Sequence, residues 1–560
     1  MKKNAKLLSV FLSLILLVSS VVFVIPANAE GTALTYWTDN AATALSGGGT
    51  GTADDPYLVG TAAEWAFVAN KLSAADADYT GKYYKLTADI DLSAHTWVPV
   101  SGDWLGFNLN GDSHKITGLT LNGGTYTTNV AMFHYLGGAT VENLTLEGSI
   151  SDYSNFTAPG GYWGLLAGRM SSTTVNNCIF DVNIDLDGIA KDQIGGVAGY
   201  YTDSSKISNS EVRGSINVVT GSTTPYVGGF AGRVKIGSYT NVKNFASVTV
   251  EVTGENGADA GGIVGGIWDG DTATFINCVN YGAITVTAGG KAYAGGIAGA
   301  IGPWHKNNST TAVMTNCVNV GTLSATGTTA KEGGMTAYNA SKLTTYTNCF
   351  TTSECIEGET YNADYTKGLD TCVAGIDLQT LDGARVRLDT SAEATSGIRF
   401  DSKVNKAAYD ALTALDGVTV ALGTIIAPTQ NIAKVADSYD KLAVLTENQM
   451  VTVPYAPGAG TYTWISQDET DYGFTGAIAK IYEKNYDLKF TAVAYLTLSV
   501  GDWSFTFYAN DGVGTDGIVS EARIRSVADV ADLALDSGKY TEGTDAWTIL
   551  NTYAKANDAQ

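Results

Sequence analysis

Gly195-Gly196-Val197-Ala198-Gly199, Gly228-Gly229-Phe230-Ala231-Gly232 and Gly261-Gly262-Ile263-Val264-Gly265 are three copies of one pattern, set 33 residues apart. Working outward, it recurs at Gly164-Leu165-Leu166-Ala167-Gly168 and Gly295-Gly296-Ile297-Ala298-Gly299, with a worn copy at Gly333-Gly334-Met335-Thr336-Ala337. The intervals between first glycines are therefore 31, 33, 33, 34 and 38. A second marker keeps step with the first: Asn143, Asn177, Asn209, Asn241, Asn277, Asn316 and Asn348. Two markers in one register establish an internal repeat.

Reading forward from each Asn gives the geometry. The next residue is Leu144, Cys178, Ser210, Val242, Cys278, Cys317 or Cys349. Seven residues beyond the Asn come Ile150, Ile184, Ile216, Val248, Ile284 and Leu323, and each is followed by a polar residue: Ser151, Asp185, Asn217, Thr249, Thr285 and Ser324. An apolar column beside a polar one is the two-residue period of strands with one buried face. Because the columns recur in every copy, the buried faces stack into one core, and each coil contacts mainly its neighbours. Asn side chains at a bend can bond to their copies in adjacent coils, as stacked amides do. The glycines suit corners where a side chain would clash or where φ is positive. Both columns are architecture, and the fold expected is mainly β: a parallel β-helix followed by a smaller C-terminal domain.

Ahead of the repeats stand Gly51-Thr52-Ala53-Asp54-Asp55-Pro56-Tyr57-Leu58, Tyr83-Tyr84-Lys85-Leu86-Thr87-Ala88-Asp89-Ile90-Asp91-Leu92 and Asn110-Gly111-Asp112-Ser113-His114-Lys115-Ile116-Thr117-Gly118-Leu119. Together with the G-G-hydrophobic-x-G strand and the Asn-Cys strand after it, this resembles the GLUG-repeat β-helix of bacterial surface proteins over residues 51–365. The resemblance implies a right-handed parallel β-helix and a role at the cell surface, often adhesion. Such repeats also accompany zinc peptidases that cut immunoglobulin A; this chain has no H-E-x-x-H, so that activity does not carry over.

Lys2, Lys3 and Lys6, an apolar run from Leu7 to Ile25 and Ala27-Asn28-Ala29 read as a secretory signal peptide over residues 1–29. Residues 30–50 read as a linker. Thr61-Ala62-Ala63-Glu64 has the capping-box pattern, and Trp65, Val68, Ala69 and Leu72 share a helical face, so residues 61–72 are expected to plug the N-terminal end of the solenoid. From 366 to 560 the repeat is gone. Strand patterns at Ala384–Leu388, Ile398–Val404, Val418–Ile426, Tyr462–Ser466, Lys489–Leu498 and Trp503–Tyr508 mix with helix patterns at Lys406–Leu415, Val519–Leu535 and Asp545–Ala554. That mixture predicts an α+β or β-sandwich-like accessory domain.

Composition bounds the function. The chain has 560 residues, 44% of them hydrophobic, with 65 Gly but 9 Pro, which excludes collagen-like and Pro-rich stalks. Its formal charge is −23, and −26 once the three leader lysines are lost, so nucleic acid and anionic membrane are not expected partners. No second apolar stretch of spanning length follows the leader, and the C-terminus carries no LPxTG-like sorting sequence. The chain reads as secreted and associated with the cell surface.

No constellation points to catalysis, a metal or another cofactor. Cys178, Cys278, Cys317 and Cys349 share an inward column that also takes Leu, Ser and Val, so they read as small buried hydrophobes. Cys355 and Cys372 lie outside it, and a disulfide between them stays open. Asp181, Asp185 and Asp187 point one way from a strand; carboxylates so placed can hold Ca²⁺ or serve as acid and base, whereas Glu147 and Arg213 in the same column suit a solvated face with one cross-coil ion pair. His95, His114, His134 and His305 lack metal-ligand spacing. The segments after the glycine strands carry Tyr200, Tyr201, Trp268, Asp269, Trp304, His305 and Tyr338, which in stacked coils line one edge. Rings beside acceptors suit a glycan, and they also suit shielding of the turns. The reading is a non-enzymatic binding or adhesion platform for glycans or other cell-surface components. The alternatives are a polysaccharide-degrading β-helix enzyme, marked by paired carboxylates or by carboxylates beside Lys/Arg on neighbouring coils, and a bare structural stalk.

Overall fold

The computed structural model describes residues 34–121, 129–151, 161–188, 193–221, 224–302, 310–341, 343–352, 372–373, 375–388, 395–435, 466–467, 469–509 and 519–556. The leader, Cys355 and most of the strand expected at Tyr462–Ser466 lie outside them. One coil runs Tyr226–Gly228, Ala231–Thr240, Lys243–Asn244 and Ser247–Val252, and the next begins at Ala258–Gly261. Among the described residues the strand pairs between coils are parallel, and register is kept in columns such as Ile150↔Ile184↔Ile216↔Val248↔Ile284↔Leu323, with shifts at Val234/Ile236 and Ile116/Leu119. The parallel β-helix is therefore formed as the columns predict. Ile150 to Ile284 in that column are fully buried, and one hydrophobic cluster runs from Trp37 to Cys349.

The Asn marker has a backbone reason. Asn143, Asn177, Asn209, Asn241, Asn277, Asn316 and Asn348 all sit at φ between 50° and 56°, a left-handed bend that Asn tolerates better than most residues. Their amides form a ladder: Asn177 donates to Asn143 at 2.8 Å, Asn241 to Asn209 at 2.9 Å, Asn277 to Asn241 at 2.8 Å and Asn316 to Asn277 at 2.9 Å. A second, buried ladder went unread in the sequence. Asn244 donates to Asn280 and Asn280 to Asn319, each at 2.8 Å, and Asn319 donates to Thr351 at 3.2 Å.

That ladder explains the glycine pair. A Cβ on Gly229, Gly262 or Gly296 would overlap the amide of Asn244, Asn280 or Asn319, and one on Gly195 or Gly228 would overlap the neighbouring backbone. None of these glycines has positive φ. Of the two reasons expected for glycine, close approach is the one that acts in the repeat.

The N-terminal plug is the helix Ala62–Ser73, with Trp65, Val68, Ala69 and Leu72 buried. The Thr61 hydroxyl accepts from the Glu64 amide at 3.2 Å. Glu64 does not close the reciprocal bond; its carboxylate accepts from the amides of Gly60 and Ser46, both at 2.9 Å. Residues 34–50, read as linker, pack on this cap instead. Trp37 is buried and its indole donates to Leu92 O at 2.9 Å, and Ala42 N donates to Ala63 O. One large ring supplies enough apolar area to dock a short segment.

Among the described residues the C-terminal region holds two antiparallel sheets. One is built on Thr395–Asn405 and Asp471–Tyr482, the other on Val418–Pro428, Phe490–Val500 and Trp503–Tyr508. The helices are Lys406–Thr413, Val527–Asp536 and Asp545–Ala554, among the described residues with a shorter one at Thr429–Lys434. This is α+β, with Ile398 and Phe400 of one sheet packed with Ile426 and Ala492 of the other. It is not an independent bead: Val279, Val318 and Phe350 of the solenoid share one hydrophobic cluster with Leu422, Leu496, Phe505 and Phe507.

Candidate functional site

Cys178, Cys278, Cys317 and Cys349 are buried and unbridged, as their column predicts. Burial pushes the Cys178 thiol up to about 12, which leaves it without thiolate character near neutral pH. Asp181, Asp185 and Asp187 are exposed on one face, and Glu147 and Arg213 do flank Asp181. The expected cross-coil pair with Arg213 is not formed. Arg213 bonds Glu211 of its own strand at 2.6 Å, two residues away on the same face, and the contact between coils is Lys243–Glu211 at 3.7 Å. Among the described residues no group of three or more His, Cys, Asp or Glu is placed to hold a metal ion. His95 bonds Thr35 and meets Trp37 edge-on, and His114 pairs with Asp89 at 3.2 Å.

The aromatic edge is a seam between two columns. One column reads Tyr135, Arg169, Tyr200, Arg233, Gly266, Ala300 and Tyr338, each the third residue of its strand. The other reads Tyr162, Gln193, Tyr226, Asp259, Tyr293 and Lys331, each two residues before the first glycine. Alternate neighbours of this second column, such as Ile194, Val227, Ala260 and Ala294, face the core. Its side chains therefore project from the outer surface.

Rings and guanidiniums stack along the seam. The Arg169 guanidinium lies 4.6 Å from the Tyr135 ring centroid and 5.6 Å from that of Tyr200; Arg233 lies 4.8 Å from Tyr200 and 3.6 Å from Trp268. Arg233 also pairs with Asp271 at 3.1 Å, both largely buried, and burial nonetheless pushes the Asp271 carboxyl upward against that pairing. Tyr162 contacts Tyr200, Tyr226 contacts Trp268, and Tyr293 stacks on Tyr338 at 5.1 Å with ring planes 2° apart. The stack opens to solvent at Trp104, 55% exposed and edge-on to Tyr135 at 5.6 Å.

Of the residues expected on this edge, Tyr200, Trp268 and Tyr338 lie on the seam. Tyr201 does not: it follows Tyr200 on a strand, so it points the opposite way, into the core, 1% exposed and 5.7 Å from Tyr239. Trp304, His305 and the Asp269 side chain lie outside the described residues. Sequence reasoning missed Trp104, Tyr135, Arg169, Arg233, Tyr226, Asp259 and Tyr293. For Arg169, Arg233, Tyr226, Asp259 and Tyr293 the signal was positional: two residues before the first glycine of the repeat or one after its last; Trp104 and Tyr135 precede the glycine copies and carried no such mark.

Near Asp259 the seam opens into a cleft of about 480 Å³ lined by Tyr226, Glu255, Asp259, Lys291, Tyr293 and Tyr338, among others. Asp259 is 4% exposed, and burial pushes its carboxyl up to about 7, with Lys291 of the next coil drawing it back down. A carboxylate beside a lysine on a neighbouring coil is the arrangement that would mark a polysaccharide-cleaving enzyme.

No family model matches the chain. Over 207 residues, 36% of this chain and 2% of the relative, it is 29% identical to halomucin of Haloquadratum walsbyi. Over 133 residues, 22% of this chain and 14% of the relative, it is 32% identical to a protein of Evansella cellulosilytica described as a Gly-rich membrane protein. The chain thus spans a small part of both relatives. A Bacteroides ovatus crystal structure, described as that of an immunoglobulin A1 protease, aligns with 52% of this chain and 87% of its own at 20% identity and a TM-score of 0.39. Among the described residues no helix is long and apolar enough to cross a membrane.

Proposed function

We propose that this chain is an exported, cell-surface binding platform of the GLUG-repeat kind, without catalytic activity, whose aromatic seam holds glycans. The observation that carries this reading is the stack from Trp104 through Tyr135, Arg169, Tyr200 and Arg233 to Trp268. Stacked flat groups on a rigid β frame lose little freedom on binding, and their faces take the CH surfaces of sugars. Partial similarity to halomucin and to a Gly-rich membrane protein supports a surface role. The second reading, a polysaccharide-cleaving enzyme, draws on Asp259 beside Lys291.

Affinity electrophoresis through gels containing plant polysaccharides or mucin separates them. The platform reading expects retardation without polymer loss, and Trp104→Ala and Trp268→Ala should each remove most of it. Clearing of the polymer overturns this reading in favour of the enzyme. Unchanged retardation in both variants removes the seam from the account.

A further inference from the structure

The second seam column alternates by coil: Tyr162, Gln193, Tyr226, Asp259, Tyr293, Lys331. Two polar members of it carry buried groups without a hydrogen bond among the described residues. Gln193 Oε1 is buried and unpartnered. Asp259 is 4% exposed, projects outward between Ala258 and Ala260, which both face the core, and makes no side-chain hydrogen bond or ion pair among the described residues. A buried carboxyl left so is costly unless something outside the fold completes it. Here the cleft of about 480 Å³ reaches it, with the stacked rings of Tyr293 and Tyr338 on one side and Tyr226 on the other.

We infer that this cleft is a saccharide subsite in which the Asp259 carboxylate accepts the hydroxyls of an uncharged pyranose unit whose ring packs against Tyr338. This rests on the glycan-platform reading and places one contact within it. Successive coils are about 4.8 Å apart, close to the advance of one sugar in an extended chain, so a polysaccharide along the seam presents one unit to each coil. A sugar offers what Asp259 lacks: two hydroxyl donors in a fork and a face to stack. The charges around it leave the role open to a neutral ligand. Lys291 and Glu255 both line the cleft, Lys331 lies over the Tyr338 ring at 5.7 Å, and Arg233 is paired with Asp271. Tyr226 and Tyr293 flank Asp259 in the adjacent coils.

Hydroxyls that donate to a carboxylate favour its ionised form. Affinity should therefore rise with pH as the buried carboxyl gives up its proton near pH 7. The test is affinity electrophoresis in gels of mixed-linkage β-glucan, galactomannan or gastric mucin at pH 6 and pH 8, with each mobility referred to a polymer-free gel. Wild type should bind more tightly at pH 8 by up to roughly tenfold, the change in ionised fraction across two units centred on the titration. Asp259→Asn, equal in shape, should bind with little pH dependence and more weakly than wild type at pH 8. Tyr338→Ala, which leaves the buried carboxyl in place, should weaken retention at both pH values. Wild-type retardation matched by Asp259→Asn at both pH values overturns this subsite and leaves the platform standing. No retardation of wild type on any polymer, or clearing of the polymer, overturns the platform and the subsite with it.

Discussion

Asn244–Asn280–Asn319 and Tyr226–Asp259–Tyr293 are columns from the same three coils, built on the same parallel spacing, yet they treat their polar groups in opposite ways. In the first, each coil repeats the same amide, so each donor finds an acceptor one coil on, and a backbone carbonyl takes the other bond: Asn280 Nδ2 donates to Asn319 Oδ1 at 2.8 Å and to Gly282 O at 2.9 Å. In the second the residue changes at every coil, and Asp259 between two tyrosines has nothing like itself to bond. A parallel solenoid satisfies what it repeats, save where the run begins and Asn244 Oδ1 is left buried without a partner. A column that varies carries groups the fold does not satisfy, and there a ligand has work to do.

Breaking the repeated column should cost most. Asn280→Ala removes the bonds to Asn244, Asn319 and Gly282 and opens a cavity beside Gly262. Lost buried hydrogen bonds and a small cavity together amount to about 3–4 kcal/mol. Urea unfolding followed by circular dichroism should show a large drop in midpoint. A drop under about 1 kcal/mol would mean that the ladder is incidental to the coil.

Changing the varying column should do the reverse. Asp259 has a folded pKa near 7 against an ordinary 3.8, so between those values the folded chain holds a proton that the unfolded chain has lost. With more protons bound in the folded state, stability falls as pH rises through this window and levels off above it. Asp259→Asn keeps the shape without the charge. It should therefore match wild type near pH 4 and exceed it at pH 8.5 by about 2–3 kcal/mol, somewhat less than the full linkage figure because the cleft admits water. Parallel stability curves for the two proteins from pH 4 to 8.5 would refute the buried, titrating carboxyl.

How much of this was legible follows the same division. The Asn bends and the inward Ile column could be read because each coil repeats them. The C-terminal strands Trp503–Tyr508 and Val418–Ile426, the latter running on to Pro428 in the structure, were read because alternation needs no partner to be recognised. The buried ladder was missed although Asn241-Val242-Lys243-Asn244, Asn277-Cys278-Val279-Asn280 and Asn316-Cys317-Val318-Asn319 display it. The preceding coil holds Val212 at that position, so the column turns polar only midway. Tyr201 was placed on the seam because Tyr-Tyr reads as one aromatic feature, whereas a strand splits the two rings between faces. Arg169 and Arg233 stand in one seam column with Tyr135 and Tyr200, and Asp259 stands in the other with Tyr226 and Tyr293; each column keeps a position but not a chemistry, and a search for repetition passes over it. Trp37 was lost in a Gly- and Ala-rich segment whose docking depends on that single ring.

The smallest effect probes the exposed ladder, where two causes can be separated. Asn241 has φ 54°, donates to Asn209 and accepts from Asn277. If the bend conformation is what selects Asn, Asn241→Gly should cost only a few tenths of a kcal/mol, because glycine enters the left-handed region freely. Asn241→Ala should cost about 1–2 kcal/mol, the penalty for a Cβ in that region. If the amide ladder is what selects it, the two variants should lose similar amounts, since both delete the same solvent-exposed hydrogen bonds. The ladder is wet on its outer side, where a net hydrogen bond is worth about 0.5–1 kcal/mol, and the backbone term applies at every copy from Asn143 to Asn348. Alanine should therefore be the worse substitution. Equal losses would place the exposed ladder with the buried one, as a second column that the solenoid holds together by repeating a side chain rather than a backbone turn.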